Sequence, residues 1–162
     1  MFFLYKIGDS IFYPLHGAGI IQNIEEKRIL GARHKYYMVR IPIKDTEVML
    51  PVENAEKLGV RNVKNSVEID ELLSYMKNIV DVSSDNWNRR YRENIEKIRE
   101  GTQERTAEVV KYLLIRDKNK GLSSSEKKTL VYAKQILYSE IIMAKEMDYE
   151  SVDKMIKEGY ID

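Results

Sequence analysis

The hydrophobic pattern of this chain changes at Leu58-Gly59-Val60-Arg61-Asn62-Val63. Before this stretch the apolar residues form short β-branched and aromatic runs, and after it every apolar pattern has helical spacing. Strands followed by helices are typical of the α+β class. We therefore place a domain boundary near residue 64, which divides the 162 residues into segments 1–63 and 64–162.

The first segment contains four runs that are predicted to be strands, Ser10–Tyr13, Gly19–Ile24, Lys35–Ile41 and Glu47–Leu50. Several short strands without a helical pattern among them predict a small antiparallel β-barrel of the Tudor or SH3 kind. The glycines of His16-Gly17-Ala18-Gly19 resemble those of a phosphate-binding loop, but the stretch lacks the lysine and the following helix that such a loop needs. We instead expect both glycines to adopt positive φ in the connection between strands.

The second segment is predicted to be an all-α domain of about five helices. Its candidate N-caps are Ser66, one of the residues Ser84 to Asn86, Thr102, and the capping box that runs from Ser123 to Glu126. A turn is expected over residues 118–121, and a short last helix over residues 152–158. The apolar faces of these helices are those of ordinary helix packing, which needs no cofactor.

Composition argues against several functional classes. The chain has no cysteine, which excludes disulfides and thiolate metal sites, and no run approaches the roughly 20 apolar residues of a membrane span. The two histidines, His16 and His34, have no carboxylate at metal-ligand spacing. The acidic stretch 146–158 is the one candidate for a metal-dependent nuclease, and its spacing is that of a solvated helix face. We predict a cytoplasmic, non-enzymatic protein without metal, cofactor, membrane partner or small-molecule substrate.

The only tryptophan, Trp87, falls in the first turn of the second predicted helix. Trp87, Tyr91, Ile95 and Ile98 recur at helical spacing, so a buried stripe is one interpretation. The other interpretation is an exposed apolar wedge beside arginines, as minor-groove proteins use to open a base step. Residues 86–99 carry five basic and two acidic residues, a net charge of +3 that favours the wedge.

The net charge of +1 is unevenly distributed along the chain. Residues 86–136 hold thirteen basic and seven acidic residues, whereas residues 137–162 hold three basic and seven acidic ones. An anionic partner such as nucleic acid is therefore expected at the basic middle of the chain.

Four separated blocks, in this order, resemble the CarD/CdnL group of bacterial RNA polymerase-binding transcription regulators. They are Lys6-Ile7-Gly8-Asp9 with Tyr13-Pro14-Leu15-His16-Gly17-Ala18-Gly19, Leu50-Pro51-Val52-Glu53-Asn54-Ala55 with Gly59-Val60-Arg61, Trp87-Asn88-Arg89-Arg90-Tyr91, and Gly121-Leu122-Ser123 with Glu126-Lys127. The resemblance covers nearly the whole chain. The N-terminal module of the CarD/CdnL group is shared with transcription-repair coupling factor.

The resemblance implies that the Tudor-like domain binds the RNA polymerase β subunit and that the helical domain reaches promoter DNA upstream of the transcription bubble. Trp87 would be a minor-groove wedge, and Arg89, Arg90 and Arg92 would approach the DNA backbone. Lys27 falls at a basic polymerase-contacting position. Met49 stands where relatives place an arginine that faces the polymerase, so the polar part of that contact differs in this chain.

Two interpretations follow. In the first, the protein stabilises the open promoter complex while it is tethered to polymerase. In the alternative, it is a free-standing architectural protein that binds the minor groove with the same helix and needs no polymerase. Neither promoter choice nor activation versus repression follows from the residues.

Overall fold

The computed structural model describes residues 3–161, which form a five-stranded antiparallel sheet followed by five helices. The strands are β1 Ser10–Tyr13, β2 Gly17–Ile29, β3 Ala32–Ile41, β4 Thr46–Pro51 and β5 Arg61–Asn62. The sheet order is β4-β3-β2-β1-β5, so β4 and β5 stand at its two ends. The helices are α1 Ser66–Asn78, α2 Trp87–Arg99, α3 Gln103–Asn119, α4 Ser124–Lys145 and α5 Tyr149–Gly159. The predicted α+β class is confirmed.

The predicted strands are confirmed, and three of them are longer than expected, β4 by one residue at each end. β2 and β3 extend as a hairpin as far as Ile29 and Ala32. The two-residue strand β5 was missed, because its pairing with Ile11 and Phe12 of β1 is a long-range contact that no local pattern encodes.

The helix boundaries differ from the predicted ones at three points. The side chain of Asn65, not Ser66, caps α1, in a reciprocal capping box with Glu68. α3 continues through Asn119, so the expected turn is shorter, and α5 begins at Tyr149 with Asp148 as its cap. The predicted caps Thr102 and Ser123 are confirmed, the latter as a capping box with Glu126.

One expectation for the glycine-containing connection was wrong. Gly17 has the expected positive φ of 113°, but Gly19 does not share it. A Cβ on Gly19 would lie 2.4 Å from the carbonyl oxygen of Arg40, so this glycine is required by the close approach of β3.

The sheet contributes to two hydrophobic cores. Successive strand residues point to opposite faces, and in β1 Ile11 enters the core of the sheet while Phe12 enters the core of the helices. Ala18 also packs in the helical core, and its backbone N–H donates to Ser139 Oγ of α4 at 2.8 Å. The sheet and the helices are therefore packed directly against each other.

A buried carboxylate joins the sheet to the helices. Glu140 of α4 is fully buried and accepts two hydrogen bonds from the Arg61 guanidinium, at 2.6 and 3.0 Å. It also accepts from the Lys64 backbone N–H at 2.8 Å and from Gln103 Nε2 at 3.1 Å. Four donors satisfy the charge, which is the condition for burying a carboxylate without a large cost.

Candidate functional site

The helix that carries the tryptophan begins with a well-formed cap. Of the three candidate caps, Asn86 is the one used, and its side chain accepts from the Arg89 backbone N–H at 3.0 Å. Ser84 stabilises the preceding loop, because its hydroxyl accepts from the Asn86 backbone N–H at 3.1 Å. Trp87 is thus the first residue of α2, at the end of a loop fixed by its own side chains.

The indole of Trp87 is half exposed and held on two sides. Its ring stacks on Tyr91 with centroids 5.5 Å apart and planes 8° from parallel. Its Nε1–H donates to Ser123 Oγ, the N-cap of α4, at 3.0 Å. Trp87 is 41% exposed, and Tyr91 stacks on one of the two faces of its ring.

Burial along the stripe of α2 decreases toward its N-terminus. Ile98 is buried, Ile95 and Tyr91 are partly buried, and Trp87 is exposed. The core interpretation therefore holds for Ile98, whereas the tryptophan lies at the surface, as the wedge interpretation requires.

Arg90 is buried and serves the fold. Its guanidinium Nε donates to Glu126 Oε2 at 2.9 Å, and Nη1 donates to the carbonyl oxygens of Ser84 and Asp85 at 3.2 Å each. With 2% of the residue exposed, its charge faces the start of α4 and the loop before Trp87. The guanidinium expected to approach DNA at this position thus lies inside the protein.

The other two predicted arginines are at the surface. Arg89 is 68% exposed in its side chain and pairs with Glu93 one turn further along α2, at 2.9 Å. Arg92 is exposed and has no ion-pair partner within residues 3–161. Exposed pairs such as Arg89–Glu93 contribute little energy and open readily, so both guanidiniums are accessible to an anion.

The sequence count overstates the free positive charge of α2. Besides the two pairs already described, Lys97 lies 3.8 Å from Glu108 and Arg99 lies 2.9 Å from Glu96. Arg92 is thus the one basic residue of α2 without an acidic partner in the described part of the chain.

The helix whose N-cap contacts Trp87 carries exposed lysines in its first turns. The Trp87–Ser123 hydrogen bond places the start of α4 next to the indole, and Lys127 and Lys128 are exposed in the first turns of α4. Neither lysine has an acidic partner among the described residues. The charge count of residues 86–136 included these lysines, but the contact between the start of α4 and Trp87 depends on helix packing.

Glu126 connects these elements electrostatically. Burial alone would raise the pKa of its carboxyl, but the hydrogen bonds from Arg90 and Ser123 outweigh burial and hold the pKa below its ordinary value of 4.5. Glu126 is therefore ionised at neutral pH and balances the buried guanidinium of Arg90.

The two residues predicted to contact polymerase lie on one face of the sheet. Asn23, Met38 and Met49 are paired across β2, β3 and β4, so they lie on one face of the sheet. Lys27 is an even number of residues from Asn23 along β2 and therefore lies on the same face as Met49. Met49 is 41% exposed and lies on β4, an end strand of the sheet. Lys27 is partly exposed and lies 3.4 Å from Glu25.

In the acidic stretch near the C-terminus, Asp153 is paired with two lysines. Asp153 accepts from Tyr138 at 2.8 Å and lies 3.0 and 2.9 Å from Lys134 and Lys157. Within the described chain, no three His, Cys, Asp or Glu side chains form a group that could hold a metal ion. Between residues 3 and 161, no helix is long and apolar enough to cross a membrane.

Comparison with known proteins gives two family matches that follow the two parts of the structure. Residues 5–64 match the CarD-like/TRCF RID domain, and residues 71–157 match the CarD C-terminal domain. The chain belongs to the CarD family. It is also 36% identical over 142 residues to the "Putative transcription factor YdeB" of Bacillus subtilis (strain 168), covering 88% of this chain and 93% of that protein.

Membership of the CarD family, which is a family of transcription factors and not of enzymes, confirms the resemblance carried by the four sequence blocks. The first match includes the sheet with Lys27 and Met49. The second includes the whole of α2 with Trp87 and the start of α4.

Proposed function

We propose that this CarD-family protein binds the RNA polymerase β subunit through its sheet and stabilises the open promoter complex. In this proposal Trp87 enters the minor groove at the upstream edge of the transcription bubble. Such a protein acts in the cytoplasm on polymerase and promoter DNA and needs no cofactor. The observation that carries the proposal is the half-exposed, oriented indole at the first residue of a helix, with exposed basic residues on that helix and in the first turns of α4.

The DNA contact is proposed to combine stacking with a few phosphate contacts. An aromatic face on an unstacked base contributes about 1–3 kcal/mol and tolerates any base. Arg92, Lys127 and Lys128 supply the unpaired cations, and Arg89 becomes available when its exposed pair with Glu93 opens. Contacts of this kind fix position on the backbone and carry no sequence information.

The polymerase contact is proposed to lie on the face that carries Lys27 and Met49. β4 stands at the end of the sheet order, and an end strand offers backbone N–H and C=O groups to a strand of another protein. Met49 packs in an apolar part of such a contact, and Lys27 pairs with an acidic surface.

The scarcity of unpaired cations favours the tethered protein over a free-standing architectural one. About three phosphate contacts give a shallow dependence on salt, with a slope near −3 for the logarithm of affinity against the logarithm of salt concentration. Free duplex DNA should thus be bound weakly and with little sequence preference. Tight binding of short duplexes without polymerase would instead support the free-standing alternative.

The test of the proposed function is the lifetime of the open complex after addition of a competitor, with and without the full-length protein, on several promoters. The proposal expects a longer lifetime with the wild type. It also expects that a Met49→Glu variant, which no longer binds polymerase, does not lengthen the lifetime of the open complex. If the wild type leaves the lifetime unchanged on all promoters, the proposed function is wrong.

A further inference from the structure

The orientation of Trp87 depends on a closed set of contacts that spans three segments of the chain. Tyr91 supports one face of the indole, and Ser123 accepts its N–H. The Ser123 hydroxyl in turn donates to the Glu126 carboxylate, which also accepts a hydrogen bond from Arg90 Nε. The contacts close on themselves, because Arg90 also binds the carbonyl oxygens of Ser84 and Asp85, immediately before α2.

The hydrogen-bonding capacity of the Ser123 hydroxyl is fully used. Its oxygen accepts from Trp87 Nε1 at 3.0 Å and from the Glu126 backbone N–H at 3.2 Å, and its proton is directed to Glu126 Oε1 at 3.2 Å. One donor and two acceptor positions are all that a hydroxyl offers. The hydroxyl therefore has one orientation, which in turn fixes the direction of the indole N–H.

We propose that Ser123 and Tyr91 are positioning residues that present one face of Trp87 to DNA and turn its N–H inward. The proposal rests on the proposed function of Trp87 as the DNA wedge. Tyr91 stacks on one face, so a base can stack on the other face only. The indole N–H is its only hydrogen-bond donor, and because Ser123 accepts it, none is left for acceptors on the base edges.

The presence of serine at this position is not explained by the helix start alone. Ser, Thr, Asp, Asn and Gly are all suitable N-caps, and replacing such a cap by Gly costs only a few tenths of a kcal/mol. Ser123→Gly therefore removes the acceptor of the indole N–H and largely preserves α4. Ser123→Thr restores a hydroxyl and should restore the orientation.

The single tryptophan allows the ring to be observed directly in the full-length protein, without DNA. In Ser123→Gly we expect the one indole N–H resonance to shift and to exchange faster with water, and the ring to move faster in time-resolved fluorescence anisotropy. Ser123→Thr should give wild-type values. Thr102→Gly is the matched control, since it weakens the N-cap of α3, which follows the end of α2 opposite to Trp87.

The second readout is the open-complex lifetime. A neutral hydrogen bond contributes about 0.5–1.5 kcal/mol, so Ser123→Gly should shorten the lifetime by about two- to tenfold, and Thr102→Gly should not. Tyr91→Leu, which removes the stacked ring, should shorten it similarly. Tyr91→Phe should match the wild type, because the Tyr91 hydroxyl has no partner in the described structure.

Two results would overturn the positioning proposal. One is an indole resonance and ring mobility in Ser123→Gly that equal those of the wild type. The other is a looser ring with an unchanged lifetime, on promoters where Trp87→Ala does shorten it. If Trp87→Ala itself has no effect on lifetime, the proposed function fails, whereas the indole signals still report whether Ser123 orients the ring.

Discussion

At the scale of single residues, Trp87→Ala separates the DNA role of the indole from its packing. Loss of a ring that stacks on an unpaired base removes about 1–3 kcal/mol, which corresponds to a lifetime about fivefold to a hundredfold shorter. The ring is half exposed, so the free energy of unfolding should fall by less than the loss of about 3–5 kcal/mol that follows replacement of a fully buried tryptophan by alanine. Lifetime measurements together with thermal melts check both parts, and a large loss of stability with an unchanged lifetime would make Trp87 a packing residue.

Glu126→Gln tests the buried ion pair beneath the tryptophan. The variant leaves the Arg90 guanidinium buried without its counter-charge, so we expect the free energy of unfolding at pH 7 to fall by about 1–3 kcal/mol. The pKa of Glu126 is lower in the folded than in the unfolded protein, so its contribution is present above pH 4.5. It is lost as the pH falls through the folded pKa.

The measurement is urea unfolding of both proteins between pH 3 and pH 7. The difference between wild type and variant should be largest at neutral pH and shrink below pH 4.5, because protonated Glu126 resembles glutamine. Other carboxyl groups titrate in both proteins and cancel in the difference. A difference that is constant with pH would show that the charge of Glu126 does not stabilise the site.

At the scale of secondary-structure elements, the end strand β4 is the part of the sheet to which we assign polymerase binding. Met49→Glu places a charge on its exposed face, which should be costly if that face becomes apolar and covered on binding. We expect retention of polymerase to fall by at least about tenfold, or 1.4 kcal/mol, without a change in melting temperature. Lys27→Glu should act in the same direction.

The matched control is Val67→Glu, which places the same charge on an exposed apolar residue of α1. It should bind polymerase like the wild type. If Val67→Glu weakens binding and Met49→Glu does not, the polymerase surface lies on the helices and our assignment of the two parts is reversed.

At the scale of the whole molecule, we expect the sheet and the helices to unfold together, because Phe12 and Ala18 pack in the helical core and Glu140 binds Arg61. Glu140→Ala leaves Arg61 without its bidentate partner, and we expect a loss of about 3–5 kcal/mol, or a melting temperature about 6–20 °C lower. Hydrogen exchange should show sheet and helix amides opening as one unit. Arg99→Ala, which breaks an exposed pair, should cost less than about 1 kcal/mol. Protection that is lost in the sheet alone would contradict this coupling.

Features of this protein that depend on neighbouring residues could be predicted from the sequence. The order of strands and helices follows from apolar spacing, and the caps Thr102 and Ser123 follow from hydrogen bonds to backbone groups three positions away. The start of α2 near Trp87 was predictable for the same reason. The four motif blocks added the family, which the comparisons confirm.

The pairing of side chains that are distant in the sequence depends on how the helices and the sheet pack. Ser123 lies 36 positions from Trp87, and Ser139 lies 121 positions from Ala18, so no local pattern contains these pairs. Arg89 and Arg90 are equivalent in the sequence, but successive residues of a helix point about 100° apart. The packing of α4 against α2 therefore buries Arg90 against Glu126 and leaves Arg89 in solvent.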